Sequence, residues 1–200
     1  MNRSFPDLLA LASLILWPAI PLFWVPVHGF PRLFRRLGFL TYLLPIITWL
    51  PLAFLTFRLR DVLLHYHVGL PLAVKVIGVF LFLPGAGLQA WTLLLLTFPV
   101  IMGMPEVTNS VSGRLTTTGP FGAVRHPTYL SHTLMILGLF LMTGVAALGF
   151  VTIIDGFVVN SIIIPLEEKE LLQRFGKEYE AYRQKVPSRL FPLRRTMKEH

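Results

Sequence analysis

Four runs in this chain are too long and too apolar to be left in water. Residues 8–27, LLALASLILWPAIPLFWVPV, and residues 37–57, LGFLTYLLPIITWLPLAFLTF, contain no charged side chain. Residues 76–105 contain none either, and residues 127–166 are interrupted only by His132 and Asp155. A helix needs roughly 20 apolar residues to cross the ~30 Å hydrocarbon layer. With 54% hydrophobic and 14% charged residues, the composition lies far from a soluble average. The expected fold is all-α: a polytopic membrane helical bundle of about five transmembrane helices, with a C-terminal helical hairpin and a cytoplasmic amphipathic helix.

The first two runs fit one helix each. The third, from about Leu70 to Phe98, is too long for a perpendicular helix and should tilt or project from the bilayer. The fourth must fold back, and the best break is MTGVAALG, residues 142–149, where glycines cluster without charge. Two short helices joined by a tight turn would result. Residues 1–67 then form an N-terminal two-helix membrane segment, and residues 68–200 a core ending in the cytoplasmic helix. The first run is longer than a signal-peptide core, holds three prolines and lacks a small-residue cleavage site, so it is expected to be retained. With no cysteine, disulfides, thiolate metal sites and a cysteine nucleophile are excluded.

Lys and Arg set the expected orientation. One side of a five-span arrangement receives Arg32, Arg35, Arg36, Arg114, Arg125 and nine cations after Glu167; the other receives Arg3, Arg58, Arg60 and Lys75. The richer side should be cytoplasmic, with the N-terminus outside and the C-terminus inside. A net charge of +8 could suggest nucleic acid, but these cations flank membrane spans. Attraction to anionic lipid headgroups is the simpler account, and no nucleic-acid partner is expected.

Chemistry-bearing residues gather in two places. In GPFGAVRHPTYLSHTLMILG, residues 119–138, Pro127 suits the first turn of a helix, where its missing N–H costs nothing. His126 then falls at or beside the N-cap, with Tyr129 about one turn on. The exposed N–H groups of such a terminus favour an anionic or lone-pair-bearing ligand. A cationic interface anchor followed by a helix start is the plainer alternative. In PLEEKELLQRFGKEYEAYRQKVPSRLFP, residues 165–192, Glu167 and Glu168 sit where the last span leaves the membrane. Beyond them Leu171, Leu172, Phe175, Tyr179, Tyr182 and Val186 recur at helical spacing, as in an amphipathic helix. Solvation of the paired carboxylates is the alternative there. Gly85 and Gly87, within the third run, allow either close helix packing or ligand approach to bare backbone. Asp155 and His132 lie at membrane depth, where ionisable groups are costly. Their heights differ by about a turn, and Asp155 falls nearer the outer surface, so a direct pair does not follow.

These motifs together resemble the isoprenylcysteine carboxyl methyltransferase and phospholipid methyltransferase superfamily. The likeness rests on T-x-G-P-F, R-H-P-x-Y, the E-E pair, F-G-x-x-Y-x-x-Y and V-P, and covers roughly residues 76–192. It implies S-adenosyl-L-methionine bound at the cytoplasmic face and a lipophilic or lipid substrate, with no metal. The implied cofactor-binding residues are Gly113, Arg114, Leu115, Thr116, Phe121, His126, Pro127, Thr128, Tyr129 and Glu167. From the phospholipid enzymes come Gly85, Gly87 and Glu168. His126 or Glu168 could take a proton from an amine or hydroxyl acceptor. The isoprenylcysteine enzymes carry an Arg one turn before the first Glu, where this chain has Ile163, which disfavours a prenylcysteine carboxylate. Asn160, nearly on the face of Glu167, is the candidate substrate-facing polar group. Two rivals remain at this point. One is a sterol-reductase-like protein using NADPH, which shares R-H-P-x-Y and Y-x-x-Y-x-x-x-V-P. The other is a non-enzymatic scaffold or transporter subunit.

Overall fold

The computed structural model describes residues 4–108 and 114–191. Among them every regular element is helical, and the one strand-like pairing is an isolated bridge between His67 and Val145. Helix α1 (Phe5–Leu16) opens with a capping box in which Ser4 and Asp7 satisfy each other's backbone N–H groups. Pro18 then breaks the run, and α2 (Ala19–Gly29) continues it. Next come α3 (Pro31–Leu37), a 3₁₀ turn at Gly38–Tyr42, α4 (Leu43–Arg58) and the short α5 (Arg60–Leu63). Helix α6 (Leu72–Leu95) is the long third span, followed by single turns α7 (Phe98–Ile101) and α8 (Met104–Val107). A 3₁₀ turn at Gly119–Gly122 leads into α9 (Pro127–Thr143). Helix α10 (Ala146–Val158), a π-helical turn (Val159–Ile163), α11 (Ile164–Phe175) and α12 (Lys177–Lys185) complete the described chain.

Four stretches are long and apolar enough to cross a bilayer: Phe5–Gly29, Pro31–Arg58, Leu72–Leu95 and Ala146–Phe175. Helix α9, at 17 residues, rises about 25 Å and is the shorter fifth. Phe54, Phe80, Leu94, Phe150, Ile153 and Phe157 all project outward into what would be solvent. Such a belt suits hydrocarbon, and the protein is an integral multi-pass membrane protein.

The hairpin turns where the glycines cluster. Gly144 caps α9 in the left-handed region (φ 70°), and α10 starts two residues later. The second arm is not short, however. Helix α10, the π turn and α11 form one continuous 30-residue helix to Phe175, carrying Glu167 and Glu168 on its last turns. The widened turn has a local cause. Pro165 lacks an N–H and its ring crowds the carbonyl four residues back, so the helix loosens before it. The expected amphipathic helix is divided at Gly176 (φ 52°), where α11 stops and α12 begins.

Helices α6 and α9 form the closest-packed pair, for want of side chains between them. A Cβ placed on Gly78 would lie 2.7 Å from the carbonyl oxygen of Gly138, and one on Gly138 would lie 2.7 Å from the carbonyl oxygen of Gly78. One turn or two along, Gly85 meets the carbonyl oxygen of Ser131 in the same way, at 3.1 Å. In a membrane, where apolar burial does not favour helix association, such small-residue contacts supply the packing.

The two ends of the bundle differ. At one, Asp7 pairs with His67 at 2.9 Å, and Val68 N–H donates to the Gly144 carbonyl at 2.7 Å, closing the loop after α5 over the hairpin turn. At the other, Arg35 of α3 reaches buried Glu170 of α11 at 3.3 Å. We expect Gly138→Ala to destabilise the fold by about 1–3 kcal/mol, because backbone rather than a mobile side chain must yield. Gly156, which has open space around it, serves as the control. Thermal unfolding in detergent should show a lowered midpoint for G138A and none for G156A; equal midpoints would refute the crossing.

Candidate functional site

His126 occupies the N-cap of α9 with Pro127 at the first helical position, so the chain turns from extended to helical at this residue. What fixes the turn is a set of bonds to residues some sixty positions away. Arg125 N–H donates to the Ser188 carbonyl and His126 N–H to the Arg189 carbonyl, each at 2.9 Å. The buried Arg125 guanidinium donates to Glu168 Oε1 at 2.9 Å and to the carbonyls of Val186 and Pro187 at 2.7 and 2.6 Å. Arg189 reaches Glu168 Oε2 at 3.1 Å, and His126 Nε2 lies 3.3 Å from Glu168 Oε1. A planar guanidinium with five donors can hold a carboxylate and two carbonyls at once; an ammonium cannot repeat that geometry. Tyr182 adds a tie, donating its hydroxyl to the Phe121 carbonyl at 2.7 Å.

Inside this frame lies a cavity of about 340 Å³, within the usual range for small-molecule sites. Its polar wall holds His126, Glu167, Arg114 and Arg174; its aromatic wall holds Trp24, Phe121, Tyr129, Phe175 and Tyr179. His126 Nδ1 stands 3.7 Å from Glu167 Oε2, and the imidazole ring lies 5.8 Å from that of Tyr129. Three buried polar atoms of its lining residues have no hydrogen-bond partner among the described residues: Glu167 Oε2, His28 Nδ1 and the Tyr179 hydroxyl. Buried polar atoms without partners cost free energy, so a set of them around one cavity points to a polar ligand. Burial pushes the Tyr182 phenol up to about 12 and raises that of Tyr179 as well, so both keep their hydroxyl hydrogens as donors.

Most of the residues expected from the sequence meet here. Arg114, Leu115, Thr116, Phe121, His126, Thr128, Tyr129 and Glu167 all line the cavity. Gly113 lies outside the described residues. Pro127 is buried behind the wall, where it starts α9. Four of the expected residues do not line the cavity. Gly85 is spent on contact with α9, and Gly87 faces outward with nothing near it, so neither touches the cavity. Asn160 is exposed and donates its amide to the Gly156 carbonyl of its own helix at 2.8 Å. Glu168 does not line the cavity either: Arg125, Arg189 and His126 occupy both its oxygens, which makes it a support for His126.

Other residues were missed. Trp24 and His28 arrive from α2, stacked on each other with centroids 5.0 Å apart, and both line the cavity. A histidine ending an uncharged run was the one available signal for His28. Gln89 of α6 also lines it, accepting a hydrogen bond from the Ser131 hydroxyl. His132 and Asp155, expected at different heights, are both buried and paired, with Nε2 3.0 Å from Oδ1.

Comparison with known proteins supports the same region. The family model described as phospholipid methyltransferase matches residues 74–178. The chain belongs to the phospholipid methyltransferase family. Relatives of this family member include mouse Delta(14)-sterol reductase TM7SF2, 30% identical over 158 residues, which cover 73% of this chain and 36% of the reductase. Another is Arabidopsis thaliana protein-S-isoprenylcysteine O-methyltransferase B, 34% identical over 77 residues, or 38% of each chain. The matches thus cover little more than a third of either relative's length. No solved structure matches. Every cavity residue from Gln89 to Phe175 falls inside the family match; Trp24 and His28 fall outside it.

Arg125→Ala leaves the Glu168 carboxylate buried without its main partner, which typically costs about 3–5 kcal/mol. We expect the R125A protein to unfold at markedly lower temperature and R125K to recover only part of the loss. Circular dichroism melts in detergent check both, and an R125K midpoint equal to wild type would refute the fork geometry.

Proposed function

We propose that this protein is a membrane methyltransferase that uses S-adenosyl-L-methionine to methylate a lipophilic or lipid acceptor at the cytoplasmic face. The observation that carries the reading is the unpartnered Glu167 Oε2 beside His126 Nδ1 on the wall of a cavity lined with aromatics. The donor set fits the cofactor part by part. Glu167 would accept from ribose hydroxyls or from the ammonium group. Arg114 and Arg174 supply countercharge for its carboxylate, and Phe121, Trp24 or Phe175 a face for the adenine. His126, held from behind by Glu168, presents Nδ1 toward the same space.

When bound, the cofactor supplies a methyl group already activated on a sulfonium sulfur. What remains for the protein is alignment and exclusion of water, which can contribute several kcal/mol to the rate. Arg125, Glu168 and the 186–190 segment hold the polar wall rigid, while α2 and α6 close the apolar side. The excess of cations at the cavity end supports a cytoplasmic placement of that end, N-terminus outside. A reporter fused to the C-terminus that works only in the cytoplasm should be active, and an inactive one would reverse the orientation.

The identity to a sterol reductase keeps NADPH as a second reading. A dinucleotide phosphate would need several cations and no acid at its phosphates, whereas Glu167 is part of this wall. Calorimetric titration of the full-length protein in detergent should show binding of S-adenosylmethionine and none of NADPH. We expect E167A and H126A to weaken that binding about tenfold or more while melting near wild type. Tight NADPH binding, or E167A and H126A proteins that bind the cofactor as wild type does, would overturn the assignment.

A further inference from the structure

A second cavity of about 290 Å³ adjoins the first, deeper in the bundle. The two share Ile20, Trp24, Gln89, Thr128 and Tyr129, so they are compartments of one space. Leu16, more than half exposed, stands on the rim of the second and gives it an edge on the lipid-facing surface. Among the described residues no Lys, Arg, Asp or Glu lines it, and the one ionisable base that does is His132.

The setting of His132 is specific. Trp17 stacks on the imidazole with ring centroids 3.7 Å apart, which fixes its plane. Asp155 from α10 lies 3.0 Å from Nε2 and is itself buried. A carboxylate that accepts from Nε2–H would leave the lone pair on Nδ1. His132 lines the cavity, and its contact with Asp155 is made through Nε2. An imidazole oriented by a carboxylate on the wall of such a cavity is the arrangement of a proton acceptor.

We propose that the second cavity is the acceptor site and that His132, oriented by Asp155, takes the proton released there. The acceptor is therefore a lipophilic molecule whose nucleophile bears a hydrogen, a hydroxyl or an amine, and not a carboxylate. A carboxylate would enter an uncharged apolar compartment with no cation to meet it. The proposal rests on the methyltransferase reading above. The balance closes without a further reagent. The acceptor heteroatom forms a bond to the methyl carbon as the carbon–sulfur bond breaks, and that bond's electron pair stays on sulfur as a neutral thioether. The acceptor proton moves to His132 Nδ1, so one positive charge passes from sulfonium to imidazolium, opposite Asp155.

Two measurements on the full-length protein in detergent test this. In the first, labelled S-adenosylmethionine is offered with dodecanol, dodecylamine or dodecanoate, and cofactor binding is titrated separately. We expect methyl transfer to the alcohol or the amine, the two arms showing which, and none to the carboxylate. His132→Ala should lower kcat on the order of 10²–10⁴-fold with cofactor Kd within about threefold of wild type, and added imidazole should restore part of it. Asp155→Asn should lower kcat with KM little changed, since Asp155 acts as a positioning residue. In the second, a dodecanol carrying a diazirine is photolysed on the wild-type protein without cofactor, and labelled peptides from α1 and α9 are expected. Transfer to dodecanoate, no transfer to either protic probe, an H132A protein as fast as wild type, or labelling confined to other helices would overturn the proposal while cofactor binding stands. A wild-type protein that binds no S-adenosylmethionine would instead overturn the methyltransferase reading itself, and this proposal with it.

Discussion

The contact between Arg125 and Glu168 governs the polar end of this molecule. It joins three parts of the chain: the start of α9, the exit of the long α10–α11 helix, and the extended segment from Val186 to Leu190. Both side chains are buried, so the pair is expensive to bring out of water. That cost is offset only because each lone pair and donor has a second partner. Arg125 also donates to two carbonyls, and Glu168 also meets Arg189 and His126. A network completed in this way is rigid, and rigidity is what His126 needs if it is to face a ligand at a fixed distance from Glu167.

The bundle handles two solvents by segregating its polar groups. Along the membrane-spanning part, helices meet through glycines and hydrocarbon, with Gly78 against Gly138 as the tightest point. At one end the same helices carry the charged frame and the first cavity. Glu170 shows how the transition is managed. It is buried on α11, and Arg35 and Arg174 lie 3.3 and 3.5 Å from its oxygens, so α3 is tied to the frame by charge where apolar packing runs out. The His132–Asp155 pair is the exception, a polar unit set at depth among Trp17 and Met135.

How much of this was legible follows from which interactions are local. Uncharged runs reveal spans because the bilayer tests length and apolarity alone, and the turn at Gly144 showed in the glycine cluster. Pro127 revealed the start of α9 because proline acts on its own residue. The His126–Glu167 neighbourhood followed from motif likeness and from both falling at one membrane surface. Register was not legible. A π turn before Pro165 shifts every later residue around the helix axis, Glu168 among them, and Asn160, within that turn, is left outside. Gly85 and Gly87 looked alike in sequence, yet one meets a neighbouring helix and the other meets nothing. The pairing of His132 with Asp155 depends on how far α9 and α10 slide past each other, which no spacing along the chain encodes.

The division of labour along the chain bears on specificity. The family match runs from residue 74 to 178 and contains Arg125 and Glu168 of the charged frame and the cavity residues from Gln89 to Phe175, while Val186, Pro187 and Arg189 lie beyond it. The other wall of both cavities comes from α1 and α2, through Leu16, Trp17, Ile20, Trp24 and His28. Those residues precede the family match, so the N-terminal segment can change its lining of both cavities without disturbing the frame. In this chain the R-H-P-x-Y and V-P elements build the frame, with Arg125 donating to the Val186 and Pro187 carbonyls. One cavity holds an acid, Glu167, on its wall, and in the adjoining compartment Trp17 and His132 stand face to face.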